Sequence, residues 1–171
     1  MTSRRHLLLA APSLLAAQSA KPPVLKVSLP GGKSMLTSQL AGPGPFVVAI
    51  FKTSCPHCQK SLPIIEKVTK EFSSRGFRAL GVAVDQNPEP LVQQFAKNYG
   101  ISFPLGWAPI EDICKFLDTK PEMLYVPALV VFNRAGKLHA RYPAGDAFFN
   151  FEENNLRNLA ELLTKASAKK S

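Results

Sequence analysis

The sequence predicts an α/β fold: a central mixed β-sheet flanked by helices, with an N-terminal β-hairpin and a strand–helix insertion. Three observations predict it. The runs PFVVAIFK (45–52) and FRALGVAV (77–84) are almost unbroken apolar stretches, as expected of parallel strands covered on both faces. Each is followed by a segment whose apolar residues recur every three or four positions, the helical period. A second hairpin signal, ALVVFN and KLHARY around Gly136, comes late in the chain. Alternating strands and helices favour a sheet packed on both sides.

In chain order, VLKVSL and SMLTSQL flank PGGK and read as the first hairpin with a glycine turn. GGKS resembles the end of a phosphate-binding loop, but that motif needs a glycine five residues before Gly32, where Val27 stands. PFVVAIFK is the first buried strand. A helix over about Pro56–Arg75 places Leu62, Ile65, Val68 and Phe72 on one face, and Gly76 is its stop. FRALGVAV is the second buried strand. NPEPLVQQFAKNYG reads as a helix, with prolines at its start and Gly100 at its end. ISFPLGW is a short strand and PIEDICKFLD a short helix. After the late hairpin, a last helix over roughly Phe151–Lys165 aligns Leu156, Leu159, Leu162 and Leu163, and the Lys/Ser tail beyond it reads as frayed.

A chain of 171 residues, 46% hydrophobic and 19% charged, accommodates one domain with a sizeable core. Its first twenty residues have a separate logic. Arg4 and Arg5 precede an apolar run from Leu7 to Ala17, and small residues follow, the layout of a secretory signal with cleavage near Ser19 or Ala20. The run is well short of the roughly 20 residues a membrane span needs, so a retained anchor is the lesser alternative. SRRHLL resembles a twin-arginine signal, which leaves Sec and Tat export both open. Removal of residues 1–20 leaves 19 basic against 12 acidic side chains, about +7. The lysines are scattered, so no nucleic-acid motif is present and any membrane contact is at most peripheral. Export would carry the cysteines out of the reducing cytosol.

Two of the three cysteines, Cys55 and Cys58, lie in FKTSCPHCQKSLP, just past the first buried strand. That is the carboxyl edge of the sheet, where such folds react. A cysteine at a helix start meets unpaired N–H groups and the positive end of the helix dipole, both of which favour thiolate. Cys55 is therefore the predicted nucleophile and Cys58, less than a turn later, the resolving thiol. Pro56 suits the first helical turn. His57 adds partial positive charge, which favours the reduced form and makes the disulfide more oxidising. A purely structural Cys55–Cys58 bridge would close a two-residue loop and remove little entropy from the unfolded chain.

PFVVAIFKTSCPHCQKSLP, GVAVDQNPEP and VPALVVFNRAGKL together resemble the thioredoxin-like fold, in the exported TlpA/ResA-like redoxin family, over about residues 25–165. The resemblance implies a signal peptide over residues 1–20 and one thioredoxin-like domain over 21–171. It implies a protein thiol-disulfide oxidoreductase with a CPHC centre and no bound cofactor. Its partners would be cysteine pairs of other exported proteins, apocytochromes among them, and a redox protein that resets the dithiol. It also implies a cis Val126–Pro127 bond that presents backbone to substrate, and a helix kink at Pro63. Three positions depart from the pattern. Ala49 stands where many thioredoxins have a buried acid, Ser61 where ResA-like members often have glutamate, and Ser54 where tryptophan is common. No side-chain base for Cys58 is evident, and the Pro-His pair points to an oxidant while the branch points to a reductant.

The same residues bear on other function classes. Zinc normally takes four ligands, and beside the pair there remain only Cys114, His57, His139 and His6, which lies in the signal. Cu(I) suits soft thiolates, so a copper-binding, non-enzymatic thioredoxin-fold chaperone of the Sco-like kind stays open. A peroxiredoxin would carry Thr or Ser three residues before its cysteine, where Lys52 stands. Cys114 shares a helical stripe with Ile110, Ile113 and Leu117 and reads as a small buried hydrophobe. His139 reads as a surface residue, and Trp107 and the eleven phenylalanines mainly as core.

Overall fold

The computed structural model describes residues 22–168, so the predicted signal sequence and the end of the tail lie outside the described residues. The strands are β1 (Lys26–Leu29), β2 (Lys33–Leu36), β3 (Phe46–Phe51), β4 (Arg78–Ala83), β5 (Leu105–Trp107), β6 (Ala128–Phe132) and β7 (Leu138–Tyr142). The helices are α1 (Pro56–Glu71), α2 (Pro88–Tyr99), α3 (Ile110–Leu117) and α4 (Glu152–Ala168). One mixed sheet runs β2-β1-β5-β4-β3-β6-β7. Its centre is parallel, β5–β4–β3, and both flanks are antiparallel.

Alternation along β3 sorts the core into two layers. Val47, Ala49 and Phe51 face a cluster that also holds Leu62 and Ile65 of α1, Phe95 of α2 and Leu156 of α4. Phe46, Val48 and Ile50 face the other, with Ile113 and Phe116 of α3 and Val27 of β1. Phe46 and Phe132 stack there at 4.7 Å between ring centroids. Every residue of β3 is buried, which is why its sequence lacks polar alternation.

Boundaries differ from the sequence reading where a 3-10 turn abuts a longer element. The first long helix ends at Glu71, not Arg75, and a 3-10 turn over Ser73–Arg75 carries the chain to Gly76. Gly76 has φ +82°, and a Cβ on it would lie 2.3 Å from the Pro43 carbonyl oxygen, so glycine is required there twice over. A 3-10 turn over Ala147–Phe151 precedes α4, so Phe151 lies before that helix rather than in it. A third, Thr37–Leu40, shortens the second hairpin strand, and only Leu105–Trp107 of ISFPLGW is strand. Cys114 is buried and His139 exposed, as read from the sequence. Among the phenylalanines Phe151 is the exposed exception to the core assignment, at 70%, while Phe149 and Trp107 are half-buried.

Candidate active site

The parallel pair β3–β4 ends in two loops that lie side by side, and the dithiol is built on the first. Cys55 caps α1 with extended backbone (φ −83°, ψ 117°). Its sulfur accepts a hydrogen bond from the Cys58 amide at 3.4 Å, the bond a capping oxygen would normally accept. The Cys55 amide donates to the Lys52 carbonyl at 3.1 Å, and Gln59 Nε2 donates to the Thr53 carbonyl at 3.0 Å, closing the turn before the helix. Pro56 occupies the first helical turn and gives up no hydrogen bond.

Opposite the dithiol lies the segment before β6. The Val126–Pro127 bond is cis, and the Cys55 thiol donates to the Val126 carbonyl at 3.8 Å. Cys55 is half-buried and Cys58 has no exposed surface. Burial first, and then the hydrogen bond with Cys55 and the negative charges of Cys55 and Asp85, push the Cys58 thiol far above its ordinary value. One sulfur can therefore meet a partner, while the other is held protonated behind it.

Two carboxylates missed in the sequence reading join the site through tertiary contacts. Asp85 follows β4, and its two oxygens accept from the Thr53 amide at 3.0 Å and the Thr53 hydroxyl at 2.6 Å. It thereby fixes the Lys52–Ser54 turn that presents Cys55. The signal was available: an aspartate directly after a buried parallel strand shares the sheet edge used by Cys55. Glu152, the first residue of α4, accepts a hydrogen bond from the buried hydroxyl of Ser61, one turn along α1 from Cys58. Burial pushes its carboxyl above the ordinary range, and the Ser61 bond only partly opposes this. A carboxylate thus reaches the Ser61 position from α4, although α1 carries none there.

A cavity of about 930 Å³ opens beside the dithiol. His57 and Lys60 of α1 form one wall, Val126 and Pro127 another, and Phe149 and Phe151 a third, with Glu152 also lining it. His57, Val126 and Pro127 thus share one cavity, and the hydrogen bond from Cys55 to the Val126 carbonyl ties that cavity to the dithiol. Pro56 is exposed beside them. Cys114 and His139 line neither this cavity nor its neighbour. Among the described residues, no three His, Cys, Asp or Glu side chains converge in a way that could hold a metal ion, and no helix is long and apolar enough to cross a membrane.

Comparison with known proteins gives a consistent picture. Residues 19–141 match the AhpC/TSA family. Over 74 residues the chain is 35% identical to the thiol-disulfide oxidoreductase ResA of Halalkalibacterium halodurans, which is 43% of this chain and 41% of that one. The match thus spans about two fifths of that relative's length. A thioredoxin-family thiol:disulfide interchange protein from Chlorobium tepidum superposes with a TM-score of 0.67 at 25% identity, covering 85% of this chain and 98% of that one. The thioredoxin domain of a thiol-disulfide oxidoreductase from Bacteroides vulgatus gives 0.62 at 20% identity, over 80% and 95% of the two chains. The fold is thioredoxin-like, and the TlpA/ResA-like resemblance drawn from the motifs agrees with these relatives.

Proposed function

The chain belongs to the AhpC/TSA family, and from that membership we propose that it is a ResA-like protein thiol-disulfide oxidoreductase acting on cysteine pairs of exported proteins. The observation that carries this reading is the asymmetry of the dithiol. A half-buried Cys55 sulfur sits at a helix start facing Val126–Pro127, with a fully buried Cys58 behind it. Relatives named for thiol–disulfide exchange point the same way. The basic, apolar and small-residue layout of residues 1–20 supports export.

In the reducing direction, Cys55 thiolate attacks one sulfur of a substrate disulfide. That bond breaks, its electron pair stays on the second substrate sulfur, and that sulfur takes up a proton. Cys58 then gives up its proton and attacks Cys55 Sγ. The Cys55–Cys58 disulfide forms, the first substrate sulfur leaves as a thiolate, and two electrons have moved to substrate. A dithiol protein resets the centre; the oxidising direction runs the same steps backwards. Val126 and Pro127 offer backbone to the substrate strand, and Pro56 and His57 tune the potential.

Equilibration against glutathione buffers tests this reading, with alkylation and peptide mass analysis reporting each thiol. The expected result is a reversible two-electron transition confined to Cys55 and Cys58, with Cys114 reduced throughout. A potential near about −270 mV would mark a reductant and one near about −120 mV an oxidant. A pair that never forms a reversible disulfide, or that binds Cu(I) stoichiometrically in a manner lost in His139→Ala, would overturn the reading in favour of a copper carrier.

A further inference from the structure

A second cavity, of about 470 Å³, adjoins the dithiol groove: Tyr125 and Ala144 line both. Its walls come from the end of α3, the segment before Pro127, and the edge strand β7. Leu117, Leu124, Leu129 and Tyr142 make it apolar, and Arg141 adds a guanidinium. Arg141 Nε is fully buried yet has no hydrogen-bond partner, and Nη2 reaches only the Phe116 carbonyl, at 3.4 Å. Asp118 shares the wall but forms no ion pair with it. A buried donor without an acceptor is costly, and a cation with unused donors in an apolar pocket is matched by an anion carried on an apolar body. Arg78 also has unpartnered guanidinium nitrogens, but it lines neither cavity.

The rim indicates what kind of molecule brings that anion. Met123 is 60% exposed and Tyr125 64% exposed, and both line this cavity. Phe151, 70% exposed, lines the adjoining groove. Large apolar side chains left in solvent around a reactive site are the mark of a macromolecular docking surface. The two cavities together form a continuous surface from His57 past Tyr125 to Arg141, suited to an extended chain rather than a compact molecule.

We propose that the Arg141 cavity is a specificity pocket for the substrate polypeptide, taking an acidic side chain with an apolar neighbour from the segment that flanks the substrate's cysteine. The proposal rests on the oxidoreductase reading and deepens it. Arg141 supplies the charge-assisted contact, Leu117, Leu124 and Leu129 bury the apolar neighbour, and Tyr125 sits between this pocket and the dithiol.

The test uses the reduced protein and nonapeptides with one central cysteine, presented as symmetric disulfides. Each other position carries Glu in one peptide and Gln in its counterpart, and the rate constant for release of peptide thiol is read. At one or two adjacent positions the Glu peptide should react at least about fivefold faster than its Gln counterpart, and the preference should shrink as NaCl rises. Arg141→Gln should bring that ratio to one, and Arg141→Lys, which keeps the charge, should retain part of it. Should Arg141→Gln fail to fold, the wild-type position scan with its salt dependence decides alone. Equal rates for Glu and Gln peptides at every position, or a preference that survives Arg141→Gln, would overturn the pocket while leaving the oxidoreductase reading intact. No reaction with any peptide disulfide would bring down both.

Discussion

The two ends of α1 bury a carboxylate each, and they treat it in opposite ways. Toward the C-terminal end, Glu66 is saturated with partners. It pairs with Lys70 at 2.8 Å and accepts from the Ser102 amide at 3.0 Å, the Ser102 hydroxyl, and the Phe103 amide at 3.4 Å. Burial works against its charge, but Lys70, Ser102 and Phe103 outweigh it and hold the carboxyl below its ordinary value. Toward the N-terminal end, Glu152 has the Ser61 hydroxyl as its hydrogen-bond partner, and burial holds its carboxyl above the ordinary value. The saturated end locks α1 to the chain entering β5. The undersatisfied end borders the groove beside Cys55. Glu152 and Arg141 thus each keep unused polar capacity beside a cavity, whereas Arg78 and Thr69 keep theirs away from both.

Removing the saturated carboxylate should have the largest effect. Glu66→Ala strands the buried Phe103 amide and the part-buried Ser102 amide, and urea unfolding should register a loss of about 2 kcal/mol. A change within about 0.5 kcal/mol would mean that the contrast between the ends is not energetic. A smaller and sharper effect is expected in the pH dependence. Glu66 has a lowered folded pKa, so its stabilisation is present above the unfolded carboxyl value and is lost as pH falls through the folded one. Glu152 has a raised folded pKa, so the folded state loses stability as pH rises from the unfolded value through the folded one. Relative to wild type, Glu66→Gln should thus lose ground as pH rises toward the unfolded carboxyl value of about 4.3, and Glu152→Gln should gain ground as pH rises beyond it. Unfolding curves taken from the acid side of that value up to neutral pH read both slopes, and slopes of the same sign would remove the contrast.

What was legible in the sequence follows the same division. β3, β4 and β6 could be read because strands buried on both faces must be apolar without interruption. Cys55, Cys58 and their helix could be read because a dithiol at a helix start is a local arrangement. The 3-10 turns at Ser73–Arg75 and Ala147–Phe151 could not, since three to five residues carry no period to detect. Asp85, Glu152 and Arg141 were missed because their importance lies in contacts 25 to 91 residues away along the chain. Glu66 left a faint trace: it falls four residues after Leu62, so a charged residue sits on the buried face of α1 and requires partners.

A reachable Cys55 and a buried Cys58 divide the work of exchange, and trapping separates the two roles. Cys58→Ser and Cys55→Ser proteins are each returned to the native host, and covalent adducts are displayed on a non-reducing gel. Cys58→Ser keeps the attacking sulfur and loses the group that releases the mixed disulfide, so adducts with partner proteins should accumulate. Cys55→Ser leaves only Cys58 in the dithiol, with no exposed surface and held protonated by burial, and Cys114 is buried elsewhere, so few adducts should form and none should turn over. Equal trapping by the two variants, or stronger trapping by Cys55→Ser, would contradict the account.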